Sequence, residues 1–151
     1  MRLLMCVRAV ALSAAALIAT AAGAQGGTQA GKANVFGLWK TKGGQATVRI
    51  GPCKGNAATV CGNFVDLAGD GRAALDKNNP NPALRTRPLL GMPFVTNFKP
   101  AGANKWRSGR IYNPQNGKTH SAKMDMKANG SLTVSGCVFI FCEGEIWTRA
   151  R

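Results

Sequence analysis

Ser121-Ala122-Lys123-Met124-Asp125-Met126-Lys127, followed by Asn129-Gly130 and Leu132-Thr133-Val134, is the stretch that decides the fold. Ala122, Met124 and Met126 alternate with charged or hydroxyl side chains, so an extended strand here has one apolar and one solvated face. Asn129-Gly130 then predicts a two-residue hairpin turn, because both residues tolerate the positive φ that such a turn needs.

The same signals recur on either side. Upstream, Val35 to Trp39 opens the structured part, Ala46 to Ile50 alternates at period two, and Thr59 to Val65 reads as the next strand. Met92 to Phe98 is interrupted by Pro93, which predicts an edge strand or one with a bulge. Trp106 to Tyr112 follows, and Asn113-Pro114-Gln115-Asn116-Gly117 is a turn with proline early and glycine late. Glu145 to Arg149 is the last strand. No window has helical periodicity of useful length, so about eight short strands joined by turns predict an all-β fold, an antiparallel barrel or sandwich.

The N-terminus has another character. Arg2 and Arg8, the apolar run from Ala9 to Ala22, and Ala22-Gly23-Ala24 together have the three-part form of a secretory signal cleaved after Ala24. The run is too short for a transmembrane segment, and Cys6 precedes it, which is the wrong place for a lipidated cysteine. The expected organisation is a signal peptide over residues 1–24, a flexible Gly- and Gln-rich leader over 25–34, and one folded domain over 35–151, exported to the periplasm or secreted. Loss of the two signal arginines takes the net charge from +14 to +12. Such a charge favours polyanionic partners. The lysines at 40, 54, 77, 99, 118 and 127 are scattered among turns, however, and form no nucleic-acid-binding arm.

Four cysteines remain after the signal, an even number in an oxidising compartment, and their nearness in sequence predicts disulfides Cys53 to Cys61 and Cys137 to Cys142. Neither pair has the spacing of a zinc knuckle, so no metal is expected.

Between the strands lies Asp76-Lys77-Asn78-Asn79-Pro80-Asn81-Pro82-Ala83-Leu84-Arg85-Thr86-Arg87-Pro88-Leu89-Leu90-Gly91, whose three prolines impose a stiff, irregular course. At most one helical turn, started by Pro82, fits inside it. Asp76, Arg85 and Arg87 are its chemical groups. Two readings stand: Asp76 accepts from one arginine and locks the loop to the fold, or the arginines hold a carboxylate or phosphate in fork geometry. Alternation puts Trp106, Arg110 and Tyr112 on one face of the neighbouring strand, where they join the candidate ligand-binding set. His120 is expected to be an exposed strand-end residue, and as the neighbour of Ser121 it points to the opposite face and is poorly arranged to act as its base. No phosphate loop, metal-binding histidine motif or nucleophile elbow is present. The sequence therefore argues against an enzyme and for no catalytic residue and no cofactor.

With these segments placed, Cys61-Gly62, Asp76, Asn79-Pro80, Leu84-Arg85, Arg87-Pro88-Leu89, Gly91, Trp106, Gly109, Ile111-Tyr112-Asn113-Pro114, Gly117-Lys118, Gly136-Cys137 and Trp147-Thr148-Arg149 together resemble a family of exported bacterial proteins known as a domain of unknown function. The resemblance runs from about Phe36 to the C-terminus and implies a lipocalin-like barrel; His120 departs from it, since tyrosine is commoner there. Gly37-Leu38-Trp39 and Arg149 are also similar to the ends of lipocalin and calycin barrels. That likeness implies closure by an arginine over the first-strand tryptophan, a cation on an aromatic face. The combined expectation is a small-ligand-binding module for an apolar or anionic molecule, with Met124, Met126, Phe64 and Phe94 lining or filling the interior. The alternative is a basic envelope-associated protein that binds anionic polymers or lipids.

Overall fold

The computed structural model describes residues 34–151. The expected signal peptide and all but the last residue of the leader lie outside the described residues. The described chain is all β: β1 (Gly37–Lys40), β2 (Ala46–Cys53), β3 (Asn56–Leu67), β4 (Pro93–Pro100), β5 (Lys105–Asn113), β6 (Lys118–Met126), β7 (Leu132–Val138) and β8 (Phe141–Arg149). Each strand pairs antiparallel with the next, and β8 returns to β1 to close an eight-stranded barrel.

Alternation carries the packing. Val48, Val95, Met124 and Leu132 are wholly or almost wholly buried, with Trp39, Trp147 and Phe98 filling the space between them. Phe64 and Phe94 stack with ring centroids 3.8 Å apart and planes 3° from parallel, and Phe94 lies 6.1 Å from the Trp147 ring. The barrel interior is thus filled by side chains, as in small barrels of this strand number. Phe64, Phe94 and Met124 belong to this filling rather than to the wall of a cavity.

The β1 to β8 seam is thin, with only Trp39 opposite Arg149 and Lys40 opposite Thr148. Side chains reinforce it. The Arg149 guanidinium carbon lies 4.2 Å from the Trp39 ring centroid, and the same group donates to the carbonyls of Phe36, at 2.6 Å, and Asn34. The Trp39 indole N–H donates to the Val35 carbonyl at 2.8 Å. Both disulfides join the expected partners, Cys53 with Cys61 and Cys137 with Cys142.

Several local expectations differ from what is observed. β4 is not an edge strand, since closure pairs it on both sides; the bulge reading is the right one, with register shifts against β3 around Gly62. Asn129-Gly130 is not a two-residue turn. The Gly130 N–H donates to the Lys127 carbonyl and the Lys127 N–H to the Ser131 carbonyl, a longer loop in which Gly130 alone is left-handed. β3 and β8 extend well beyond the segments with clean alternation.

One irregularity shapes the outer surface. Asn97 on β4 and Ser108 on β5 both have positive φ, at 59° and 57°. The two strands therefore kink side by side, between the paired rows Thr96 with Arg110 and Lys99 with Arg107. Inside the barrel, Phe98 lies flat on Gly109, where an added Cβ would fall 2.3 Å from the ring. Only glycine leaves room for the ring there.

Candidate functional site

The long β3 to β4 connection forms the first polar cluster. It holds two short helical turns, Gly69–Ala73 and Pro82–Leu84; the second has proline at the start and is capped by the Asn81 side chain, which accepts from the Ala83 N–H. Leu75 bridges to Pro88, and the Asp76 N–H donates to the Arg87 carbonyl at 2.9 Å, which brings the two ends of the segment together. The Asn78 side chain donates to the carbonyls of Pro114 and Gln115 in the β5 to β6 turn.

Asp76 is fully buried at the centre. Its Oδ1 accepts from the Tyr112 hydroxyl at 2.5 Å, and its Oδ2 from Asn79 Nδ2 at 2.7 Å and Arg87 Nη2 at 2.6 Å. Burial pushes the carboxyl up. The bonds from Tyr112, Asn79 and Arg87, with the Arg87 charge, outweigh that and hold it below the usual carboxylate range. Burial, and then the bond and charge of Asp76, push the Tyr112 phenol up. With both oxygens taken, Asp76 has little capacity left as a base. Arg85 is exposed and donates from Nε to the Asn79 carbonyl at 2.8 Å. The cluster has the geometry of a loop lock.

These shifts set a pH window. The folded protein binds the Asp76 proton less readily than the unfolded chain, so the ionised carboxylate stabilises the fold above about pH 4, and this is lost as pH falls through the folded value. Tyr112 keeps its proton more firmly when folded, so its contribution to stability is present below about pH 10 and lost as pH rises through the folded value. Tyr112 is the one tyrosine of the chain, so phenolate absorbance reads it alone. Its titration midpoint is expected above that of free tyrosine, and a midpoint at or below the free value contradicts the bond to Asp76.

Trp106 does not join Arg110 and Tyr112 on one face. The kink at Ser108 adds a residue to the alternation, as the register shift between Trp106 and Gly109 against β6 records. Trp106, opposite buried Met124, faces the interior. It borders a shallow cavity with Val35, Val60 and Pro100, far along β5 from Tyr112. His120 is half-buried rather than exposed, and it sits opposite inward-facing Ile111.

Arg110 belongs to a second, outer site. The paired kinks make a solvent-open groove of about 460 Å³ across β3 to β7, bordered by Asn97, Lys99, Ser108, Arg110, Ser121 and Lys123 among others. No acidic residue lines it. Lys99, Arg110 and Lys123 have no carboxylate partner among the described residues, whereas nearby Arg107 is paired to Asp125 at 2.6 Å. Sequence reasoning named only Arg110 here. Lys123 was legible as a solvated position, but nothing in Arg107-Ser108-Gly109 signalled the kink that gathers the set. Among the described residues no group of three or more His, Cys, Asp or Glu gathers as a metal-ligand set.

Residues 37–149 match the model of a family described as an uncharacterized protein conserved in bacteria, DUF2147. Among solved structures, the chain is similar to protein HP1028 from the human pathogen Helicobacter pylori, described as belonging to the lipocalin family. The TM-score is 0.67 at 23% sequence identity, over 78% of this chain and 84% of that one. No curated protein matches.

Proposed function

Because the chain belongs to the DUF2147 family of uncharacterized proteins conserved in bacteria, whose description brings no reaction with it, we propose a function from the site itself: an exported binding module for a small anionic ligand. Export is supported by the two disulfides and by the signal-like N-terminus. The ligand class rests on one observation, that Lys99, Arg110 and Lys123 line a single groove without a carboxylate among its lining residues. Strain at Asn97 and Ser108 costs about 1–3 kcal/mol each, and it is what brings hydroxyl and amide side chains to the same groove as the cations. Such donors suit a phosphate- or carboxylate-bearing molecule. The filled interior argues against an apolar ligand within the barrel.

Calorimetric titration with inorganic pyrophosphate tests this reading. The Arg110→Ala/Lys123→Ala double variant is expected to bind at least about tenfold more weakly, at unchanged thermal stability, since a bond to a charged group contributes about 1.5–3 kcal/mol. Equal affinity of the double variant and the parent overturns the groove as the site. The reading of the same charge as a receptor for anionic polymers gives a different result: far tighter binding of long-chain polyphosphate, with a steep salt dependence.

A further inference from the structure

The turn between β7 and β8 is apolar throughout. Val138, Phe139, Ile140 and Phe141 are exposed to 52%, 98%, 87% and 78%. Cys137 pairs with Cys142 and Val138 with Phe141, so Phe139 and Ile140 are the two central residues of the hairpin. The Cys137 to Cys142 disulfide closes the hairpin directly beneath them. Phe139 takes a positive φ of 53°, at a turn position where glycine is the inexpensive choice. Side chains so exposed contribute almost nothing to the core, so turn chemistry and folding both leave this sequence unexplained.

Surroundings and size narrow what covers the tip. In an up-and-down barrel the β1 to β2, β3 to β4, β5 to β6 and β7 to β8 connections emerge at the same end. Lys42, Lys77, Arg85 and Lys118 are exposed at or beside those connections and have no carboxylate partner among the described residues. The acids there that also lack an ion pair are Asp70, Glu143 and Glu145, three against those four cations, while Asp66 and Asp76 are held by Arg72 and Arg87. The end is therefore net cationic, and Leu75 and Leu90 add exposed apolar surface on the β3 to β4 connection. A finger of four side chains offers on the order of 500 Å², less than the roughly 800 Å² that each partner contributes to a standard-size protein interface. Interfacial membrane binding asks for much less, a small buried apolar area and attraction to anionic headgroups.

From this we infer that the Val138 to Phe141 tip is a membrane-docking finger that inserts into the interface of an anionic lipid bilayer, with the cations of the same barrel end on the headgroups. The inference does not depend on the groove. Flotation with vesicles of equimolar phosphatidylglycerol and phosphatidylethanolamine tests it. The protein is expected to float with them at low salt and to partition more weakly onto phosphatidylcholine vesicles. Phe139→Ser/Ile140→Ser is expected to lower partitioning by about tenfold or more, with the melting temperature unchanged. As a second readout, Phe139→Trp is expected to gain a blue-shifted fluorescence component when anionic vesicles are added. Equal flotation of the double variant, no shift from Phe139→Trp, or a tip-dependent dimer in lipid-free sedimentation each overturns the inference.

Discussion

Asp76→Ala is expected to lower the unfolding free energy by about 3–5 kcal/mol, the cost of breaking a buried ion pair and leaving its partners uncompensated. The substitution strands the Arg87 guanidinium, the Tyr112 hydroxyl and the Asn79 amide at once. Since a domain of this size has about 5–15 kcal/mol in all, the variant should melt early in urea. Trypsin should cut it after Lys77 or Arg85 under conditions in which the parent resists. Arg85→Ala sets the scale from the other side: an exposed group with a single bond to a carbonyl is expected to cost about 1 kcal/mol or less. A loss below about 1 kcal/mol for Asp76→Ala contradicts the lock, because a buried carboxylate with three donors cannot be removed so cheaply.

Trp39→Ala is expected to cost a similar amount, about 3–5 kcal/mol, as large aromatic truncations in cores do. Trp39 is fully buried, stands under the Arg149 guanidinium and is one of the two β1 residues that meet β8. Its removal opens a cavity at the one seam of the barrel with little ladder to spare. Arg149→Lys keeps the charge but loses the planar contact and the forked donation to Phe36 and Asn34, with an expected loss of about 0.5–2 kcal/mol. Equilibrium denaturation of both variants checks the order. If Arg149→Lys proves as costly as Trp39→Ala, the forked donation and planar stacking of the guanidinium, not the packing of the indole in the core, dominate closure.

How legible this was depended on whether the deciding interaction was local. Ser121 to Lys127 was readable as a strand because period-two alternation is a local pattern, and the cysteines were readable because both partners lie within a few residues of each other. The proline-rich loop announced its stiffness, but not which arginine would reach Asp76, since Arg87 gets there only when Leu75 bridges to Pro88. Trp106 went to the wrong face because one residue in a left-handed conformation, Ser108, inverts the alternation, and serine carries no signal for it. The groove escaped notice for a related reason: Lys99, Arg110 and Lys123 lie on three strands, and only barrel register aligns them. The apolar tip fell between two readings, since Val138 to Phe141 has no alternation and β8 was read as beginning only at Glu145.

A filled barrel that binds on its outer wall differs from one that binds in its interior in a way amide chemical shifts resolve directly. In a titration of the ¹⁵N-labelled protein with inorganic pyrophosphate, the largest changes are expected at Asn97 to Lys99, Ser108 to Arg110 and Ser121 to Lys123. The indole N–H signals of Trp39 and Trp147 should stay in place. Largest changes at those indoles, or at the loop around Asp76 and Arg87, would contradict the outer groove as the binding site.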